Sequence, residues 1–134
     1  MQQPPTILIA DDQKHMLTLL QSTVSRIACR IVTAASGEEA LAQAAATTID
    51  LLLIDFQMSG LTGVETVREL KTNPAYADLP VILITGRGQN RIRTEAIRAG
   101  ISQVISKPFS PVELIETIRR LLPHHDGVPA SDAR

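Results

Sequence analysis

Residues 51–55 read LLLID, and this stretch is the clearest indication of the fold. Four consecutive large apolar residues, without the alternation of a half-exposed strand, are typical of a β-strand that is covered on both faces. Beyond a loop that contains glycine, Val64, Val67 and Leu70 recur at helical spacing. The stretch therefore predicts a buried strand that ends at the carboxylate of Asp55 and leads into a helix.

The same order of strand and helix recurs on both sides of this stretch. Apolar or β-branched runs predict four further strands, at residues 6–10, 30–34, 81–84 and 103–106. The pattern Ser36-x-x-Glu39 resembles a capping box at the second helix, and Ser110-Pro111 suits the start of the last one. Gly100 is placed to end the fourth helix. Five strands that are each followed by a helix predict a doubly wound α/β fold, with a parallel sheet and helices on both faces.

Composition limits the domain organisation and the function classes. The chain has 134 residues, of which 44% are hydrophobic and 20% are charged, and this suits one folded domain. A formal net charge of -1 provides no overall attraction for nucleic acid or for an anionic membrane. Cys29 is the only cysteine, which excludes an internal disulfide and a multi-cysteine metal site. We expect a domain at residues 6–122 between flexible ends at 1–5 and 123–134.

The sequence predicts neither membrane insertion nor secretion. Its apolar runs are far shorter than the roughly 20 residues that cross a bilayer, and the N-terminus lacks the basic and apolar regions of a signal peptide. We therefore expect a cytoplasmic location. The tail, which is rich in Pro, Gly and Ser, also suits a linker within a longer protein.

Polar residues follow four of the predicted strands, where a doubly wound sheet binds its ligands. They are Asp11, Asp12, Asp55, Thr85 and Lys107. Carboxylates near 4 Å repel each other by about 1 to 4 kcal/mol, so three of them together require a cation or bound protons. Oxygen ligands without histidine or cysteine favour Mg²⁺. With such a cation bound, one carboxylate can attack phosphorus, while a hydroxyl and an ammonium hold the phosphate oxygens.

These residues resemble the signature of the receiver domains of two-component response regulators. The matching positions are Asp11-Asp12, Asp55, Thr85-Gly86 and Lys107-Pro108-Phe109. The resemblance covers residues 6–122 and implies a flavodoxin-like (βα)₅ fold with strand order 2-1-3-4-5. It also implies that Asp55 is the phosphorylation site and that Thr85 and Lys107 hold the phosphoryl group.

The resemblance further implies a cofactor and partners. Mg²⁺ would be bound directly by Asp12, Asp55 and the backbone carbonyl of Gln57, and through water by Asp11. A sensor histidine kinase or a histidine phosphotransfer protein would supply the phosphoryl group. Output would pass by protein contact through the face of the fourth helix, fifth strand and fifth helix, with a homodimer possible and without direct nucleic-acid binding or enzymatic output.

Two further matches and two departures qualify the resemblance. The family usually has a cis peptide bond, here Lys107-Pro108, and a glycine in the third loop, here Gly63. The family often has Met-Pro after the acceptor, whereas this chain has Met58-Ser59-Gly60, which predicts a less rigid loop. Val104 replaces a tyrosine or phenylalanine that turns inward on activation. Switching is therefore expected to run mainly through Thr85 and the following loop, or by backbone movement alone.

Three rival functions have specific counter-signals. A haloacid dehalogenase-type enzyme requires a second aspartate where Gln57 stands, and a flavodoxin-like carrier requires a phosphate loop where Asp11-Asp12 would repel the phosphate. A receiver-like module that works without phosphorylation would not need the intact set of site residues. Taken alone, Asp11-Asp12 also fits a helix cap, Asp55 a turn residue and Lys107 a solvated loop charge.

Overall fold

A parallel five-stranded sheet forms the centre of the protein in this computed structural model, which describes residues 3–86 and 91–122. The strands are β1 (Thr6–Ala10), β2 (Arg30–Ala34), β3 (Leu51–Asp55), β4 (Val81–Thr85) and β5 (Gln103–Ser106). The helices are α1 (Lys14–Val24), α2 (Gly37–Ala46), α3 (Gly63–Leu70), α4 (Ile92–Arg98) and α5 (Pro111–Leu121). The predicted alternation of strands and helices is confirmed, and β4 is one residue longer than predicted because it includes Thr85.

The strand order is β2-β1-β3-β4-β5, as the resemblance implied. β3 lies in the middle, where it pairs with β1 on one side and with β4 on the other. All residues of β1, β3 and β4 are buried, whereas the edge strands β2 and β5 are partly exposed. Because all five strands run parallel, their carboxyl ends lie along one edge of the sheet.

Two apolar layers cover the sheet, so the doubly wound architecture is confirmed. Leu51 and Leu53 pack in a cluster with residues of α1 and α5, whereas Leu52 and Ile54 pack in a cluster with residues of α2, α3 and α4. Successive residues of β3 therefore contribute to opposite layers, as the period-2 geometry of a strand requires. Burial of each side chain of this size stabilises the fold by about 1.5–3 kcal/mol. The central strand is held firmly on both faces.

Most of the predicted helix signals operate as expected. The Ser110 hydroxyl accepts the N–H of Glu113 at the start of α5, and Gly100 has a φ of 88° beyond α4. At α2, Ser36 accepts the N–H of Glu39, but the Glu39 carboxylate accepts the N–H of Ala35, one residue before the cap. Only half of the predicted capping box therefore forms at α2.

Some predictions concern residues at the edges of the described ranges. Residues 1–2 and 123–134, which belong to the predicted flexible ends, lie outside the described residues. Within the described part, Pro5 is buried and its carbonyl accepts the N–H of Arg30, 2.8 Å away.

Across residues 3–86 and 91–122, no helix has the length and apolar character needed to cross a membrane.

Candidate functional site

Asp55 ends β3 at the carboxyl edge of the sheet, and the residue is only 3% exposed. The next residue, Phe56, donates its N–H to the carbonyl of Ile84 and accepts the N–H of Gly63 at 2.8 Å each. A Cβ atom on Gly63 would lie 2.5 Å from the carbonyl oxygen of Asp55. Glycine therefore allows α3 to start directly against the end of β3, and the expected third-loop glycine has a steric reason.

Lys107 follows β5 and reaches the Asp55 carboxylate. Its Nζ lies 2.7 Å from Oδ1 of Asp55, and the contact is a close ion pair. The Lys107 backbone N–H donates to the carbonyl of Thr85 at 2.7 Å, and the Lys107-Pro108 peptide bond is cis, as the resemblance implied. The lysine is thus positioned by its main chain as well as by its charge.

The surroundings of Asp55 determine the pKa of its carboxyl. Burial raises the pKa of Asp55 above its usual value, and the negative charge of Asp12 adds to this effect. Lys107 and the backbone N–H of Gln57 act in the opposite direction, but burial is the largest influence. A buried carboxyl with a raised pKa at a strand end is a common feature of functional sites.

Asp11 is the second buried carboxylate, with 1% of its surface exposed. Its Oδ1 accepts the N–H of Gln13 at 2.9 Å, but among the described residues no donor bonds to its buried Oδ2. Burial raises the pKa of Asp11, and the charge of Asp55 raises it further. Asp11 therefore lies within electrostatic reach of Asp55 and has an oxygen available for another ligand.

Asp12 is exposed and turns toward the loop after β3. Its Oδ2 accepts two hydrogen bonds from Ser59, from the N–H at 2.9 Å and from the hydroxyl at 3.2 Å. The first residue before α1 is Gln13, so neither aspartate is the N-cap residue of that helix. The helix-cap interpretation of the acid pair is therefore wrong for Asp12, whose carboxylate bonds to another loop.

Thr85 and Gln57 complete the set of predicted residues. Thr85 is 3% exposed at the end of β4, where it lies opposite Ser106 of β5. Gln57 is exposed in the loop after β3. The fold thus brings all of the predicted side chains and the Gln57 backbone to one edge of the sheet.

The donor set fits a hard divalent cation. The available groups are carboxylate oxygens and a backbone carbonyl, and Asp11 Oδ2 is a buried acceptor that receives no hydrogen bond from the described residues. Across the described ranges, there is no group of three or more His, Cys, Asp or Glu side chains that could hold a metal ion by themselves. Oxygen donors of this kind suit a hard cation that takes one or two carboxylates and completes its shell with other oxygens and water.

Ser59 and the capping box of α3 were not found from the sequence. The Thr62 hydroxyl accepts the N–H of Glu65, and the Glu65 carboxylate accepts the N–H of Thr62. The spacing Thr62-x-x-Glu65 is a legible sequence signal for this box. The contact between Ser59 and Asp12 has no such signal, because its partners are 47 positions apart.

Comparison with known families matches residues 7–119 to the response regulator receiver domain. Over 118 residues the chain is 37% identical to the cyclic di-GMP phosphodiesterase response regulator RpfG of Xanthomonas campestris, with 87% of this chain and 31% of RpfG covered. It is 28% identical over 124 residues to protein PilG of Pseudomonas aeruginosa, with 92% of each covered. The chain spans 31% to 51% of the length of three curated relatives, one of which is RpfG.

A solved structure gives the same result for the fold. The chemotaxis protein CheY4 of Vibrio cholerae superposes with a TM-score of 0.84 at 28% identity. The superposition covers 90% of this chain and 100% of CheY4. The (βα)₅ topology is thus shared over almost the whole of both chains.

Proposed function

This chain belongs to the response regulator receiver domain family, and we propose from that membership that it accepts a phosphoryl group on Asp55. One observation carries the proposal: the buried Asp55 carboxylate lies 2.7 Å from Lys107 Nζ, at the edge where Asp11, Asp12 and Thr85 also lie. The phosphoryl donor is a sensor histidine kinase or a histidine phosphotransfer protein.

In the proposed reaction, one carboxylate oxygen of Asp55 forms a bond to phosphorus. The bond from phosphorus to the imidazole nitrogen of the donor breaks, and the imidazole leaves with the electron pair. Lys107 neutralises negative charge on the phosphoryl oxygens, and the Thr85 hydroxyl donates a hydrogen bond to one of them. Catalysis by this chain consists of positioning and charge stabilisation.

Asp11, Asp12, Asp55 and the Gln57 carbonyl would hold Mg²⁺. The ion would offset the repulsion among the carboxylates and neutralise charge that develops during phosphoryl transfer. Asp11 has the buried free acceptor, Oδ2, and would act through a water ligand. Asp12 keeps Oδ1 for the ion, because its described hydrogen bonds both go to Oδ2.

The donor protein must approach the carboxyl edge of the sheet, and a groove of about 460 Å³ adjoins it. The groove is lined by Met16, Leu19, Lys107, Pro108, Phe109 and Pro111. Leu19 is 47% exposed, and Lys107 faces both the groove and Asp55. We place the contact with the phosphoryl donor here, because an apolar surface beside the acceptor suits a transient protein partner.

Output would pass through the face of α4, β5 and α5 to a downstream protein. Ile97 on α4 is a large apolar residue with 67% of its surface exposed, which suits a partner contact. The same face could form a homodimer. A cytoplasmic location and the lack of an enzymatic output remain predictions. The alternative that this chain is the receiver segment of a larger hybrid kinase or transcription factor also remains a prediction.

Intact-mass measurement tests the proposal directly. The protein is incubated with a small acyl phosphate, with and without Mg²⁺, as wild type, Asp55→Ala and Asp78→Ala. Asp78 is an exposed aspartate outside the site and serves as the matched control. We expect a single phosphoryl adduct in wild type and Asp78→Ala that requires Mg²⁺ and is lost in Asp55→Ala. Absence of an adduct in wild type under all conditions would favour an interaction module that works without phosphorylation.

A further inference from the structure

Ser59 lies in the loop between β3 and α3 and makes the only described hydrogen bonds to the Asp12 carboxylate. We propose that Ser59 is a positioning residue that orients Asp12 for the divalent cation. The inference rests on the proposed function, since it assigns Asp12 to the metal. It adds a residue with no place in the set predicted from the sequence.

The two hydrogen bonds share one acceptor atom. The Ser59 N–H is 2.9 Å from Asp12 Oδ2, and the hydroxyl is 3.2 Å from the same oxygen. A carboxylate that is bound through one oxygen keeps the lone pairs of the other oxygen for a cation. Hydrogen bonds to an ionised acceptor are stronger than those between neutral groups, so the pair restrains an otherwise mobile side chain.

Exposure explains why this restraint matters for Asp12. Asp11 is buried and is oriented by the N–H of Gln13 at 2.9 Å. Asp12 is exposed, and without Ser59 its carboxylate would rotate in water, with a loss of entropy whenever it bound an ion. Each member of the acid pair therefore has its own orienting donors, and only those of Asp12 come from a distant loop.

The same contact links two parts of the proposed metal site. Gln57 and Ser59 lie in one loop, while Asp12 follows β1, 47 positions away from Ser59. The hydrogen bonds therefore hold the loop that carries the Gln57 carbonyl against the Asp12 carboxylate. Proline at position 59 would supply neither donor, since it has no N–H and no hydroxyl. Loss of such outer partners of metal ligands commonly lowers affinity about 10–100-fold.

Titration of the full chain with Mg²⁺ tests the inference, with amide NMR signals of the site loops as the readout. The variants are Ser59→Ala, which removes one of the two donors, and Ser59→Thr, which keeps both. Ser25→Ala is the matched control, because Ser25 is exposed and loses a comparable hydrogen bond to Ser22 at the far end of α1. We expect roughly threefold to tenfold weaker Mg²⁺ binding in Ser59→Ala. Ser59→Thr and Ser25→Ala should stay within about twofold of wild type, a difference too small to reflect loss of an outer partner.

A second measurement needs no metal. In the presence of a chelator, Asp12→Ala should shift the amide signal of Ser59 and leave that of Ser25 unchanged. Unchanged or tighter Mg²⁺ binding in Ser59→Ala would overturn the inference while leaving the proposed function intact. If wild type itself shows no saturable response to Mg²⁺, the metal site of the proposed function fails and the inference fails with it.

Discussion

Asp11 and Asp55 are carboxylates that folding removes from water, and both are almost completely buried. Lys107 compensates only one of them closely, through its 2.7 Å contact with Asp55. In both cases burial is the largest influence on the pKa, and it raises the value. At the scale of single residues, ionisation of these two buried carboxyls therefore lowers folding stability. This is typical of sites that are organised for function rather than for stability.

The sign of the pH effect follows from the raised pKa values. A carboxyl whose pKa is higher in the folded state binds its proton more tightly there than in the unfolded chain. Its contribution to stability is fully present below the unfolded value of 3.8 and is lost as the pH rises through the raised folded value. Without a divalent cation, these two groups therefore destabilise the protein at neutral pH.

Asp11→Asn should be more stable than wild type at pH 7 in the presence of a chelator. Asparagine keeps the acceptor for the Gln13 N–H and removes the buried charge. We expect a higher free energy of unfolding, because burial raises the pKa of Asp11 and so disfavours its charged form. Urea unfolding at several pH values is the measurement, and the gain should vanish as the pH falls toward 4.

Asp78→Asn provides the comparison, because this aspartate is exposed. It should show no gain that depends on pH in this way. If Asp11→Asn is less stable than wild type at pH 7, the favourable interactions of the Asp11 charge outweigh the cost of its burial.

At the scale of elements, the start of α3 positions the carboxyl end of β3. Two neighbouring residues act there by different means. Thr62 caps the helix through a reciprocal box with Glu65, whereas Gly63 allows the helix backbone to approach Asp55 closely. The Thr62 cap contributes to helix stability alone, whereas Gly63 also determines where the backbone of the site lies.

Gly63→Ala should destabilise the protein more than Thr62→Ala. The added methyl group would lie 2.5 Å from the Asp55 carbonyl oxygen and 3.1 Å from Cα of Phe56, and neither backbone atom is free to move far. We expect a loss of about 2 kcal/mol or more for Gly63→Ala and of about 1 kcal/mol for Thr62→Ala. Chemical denaturation of both variants provides the comparison.

The amide signals of Asp55 and Phe56 separate the two mechanisms. They should shift in Gly63→Ala and stay close to wild type in Thr62→Ala. Equal losses in stability without a shift at Asp55 would show that the close approach of α3 to β3 is unimportant.

At the scale of the whole molecule, phosphorylation can act only by favouring one conformation over another. A change from 1:99 to 99:1 requires about 5.5 kcal/mol of differential interaction. Val104 has no large ring to turn inward, and it packs partly buried against the layer of α2, α3 and α4. Thr85 has a direct link to β5, because its carbonyl accepts the Lys107 N–H at 2.7 Å.

Thr85→Ala should separate phosphorylation from its structural effect. Without the Thr85 hydroxyl, the phosphoryl group has no side-chain donor on β4, so β4 is not drawn toward it. We expect the adduct still to form on Asp55, while the spectral changes on α4, β5 and α5 are largely lost. Intact mass and amide NMR under excess phosphodonor measure the two effects separately.

Thr85→Ser keeps the hydroxyl and should respond like wild type. In wild type, relaxation-dispersion NMR should detect exchange near Thr85 that depends on phosphorylation. Full spectral changes in Thr85→Ala, or exchange confined to other regions, would mean that the signal follows a different route.

The order of strands and helices and the residues of the candidate site could be predicted from the sequence alone. Runs such as residues 51–54 are buried on both faces in any arrangement of this kind, and a parallel sheet places its strand ends on one edge. Asp55, Thr85 and Lys107 could therefore be brought together in advance from their positions after separate strands. The resemblance to receiver domains then predicted a role for each of these residues.

The contacts among the site residues could be established only from the complete fold. The ion pair of Lys107 with Asp55, the free oxygen of Asp11 and the bonds from Ser59 to Asp12 depend on how the loops fold over the sheet edge. Local pattern determines which residues enter a strand or helix, because those hydrogen bonds join near neighbours or follow a regular register. Contacts across 47 positions have no such period, so they are determined by packing of the complete chain.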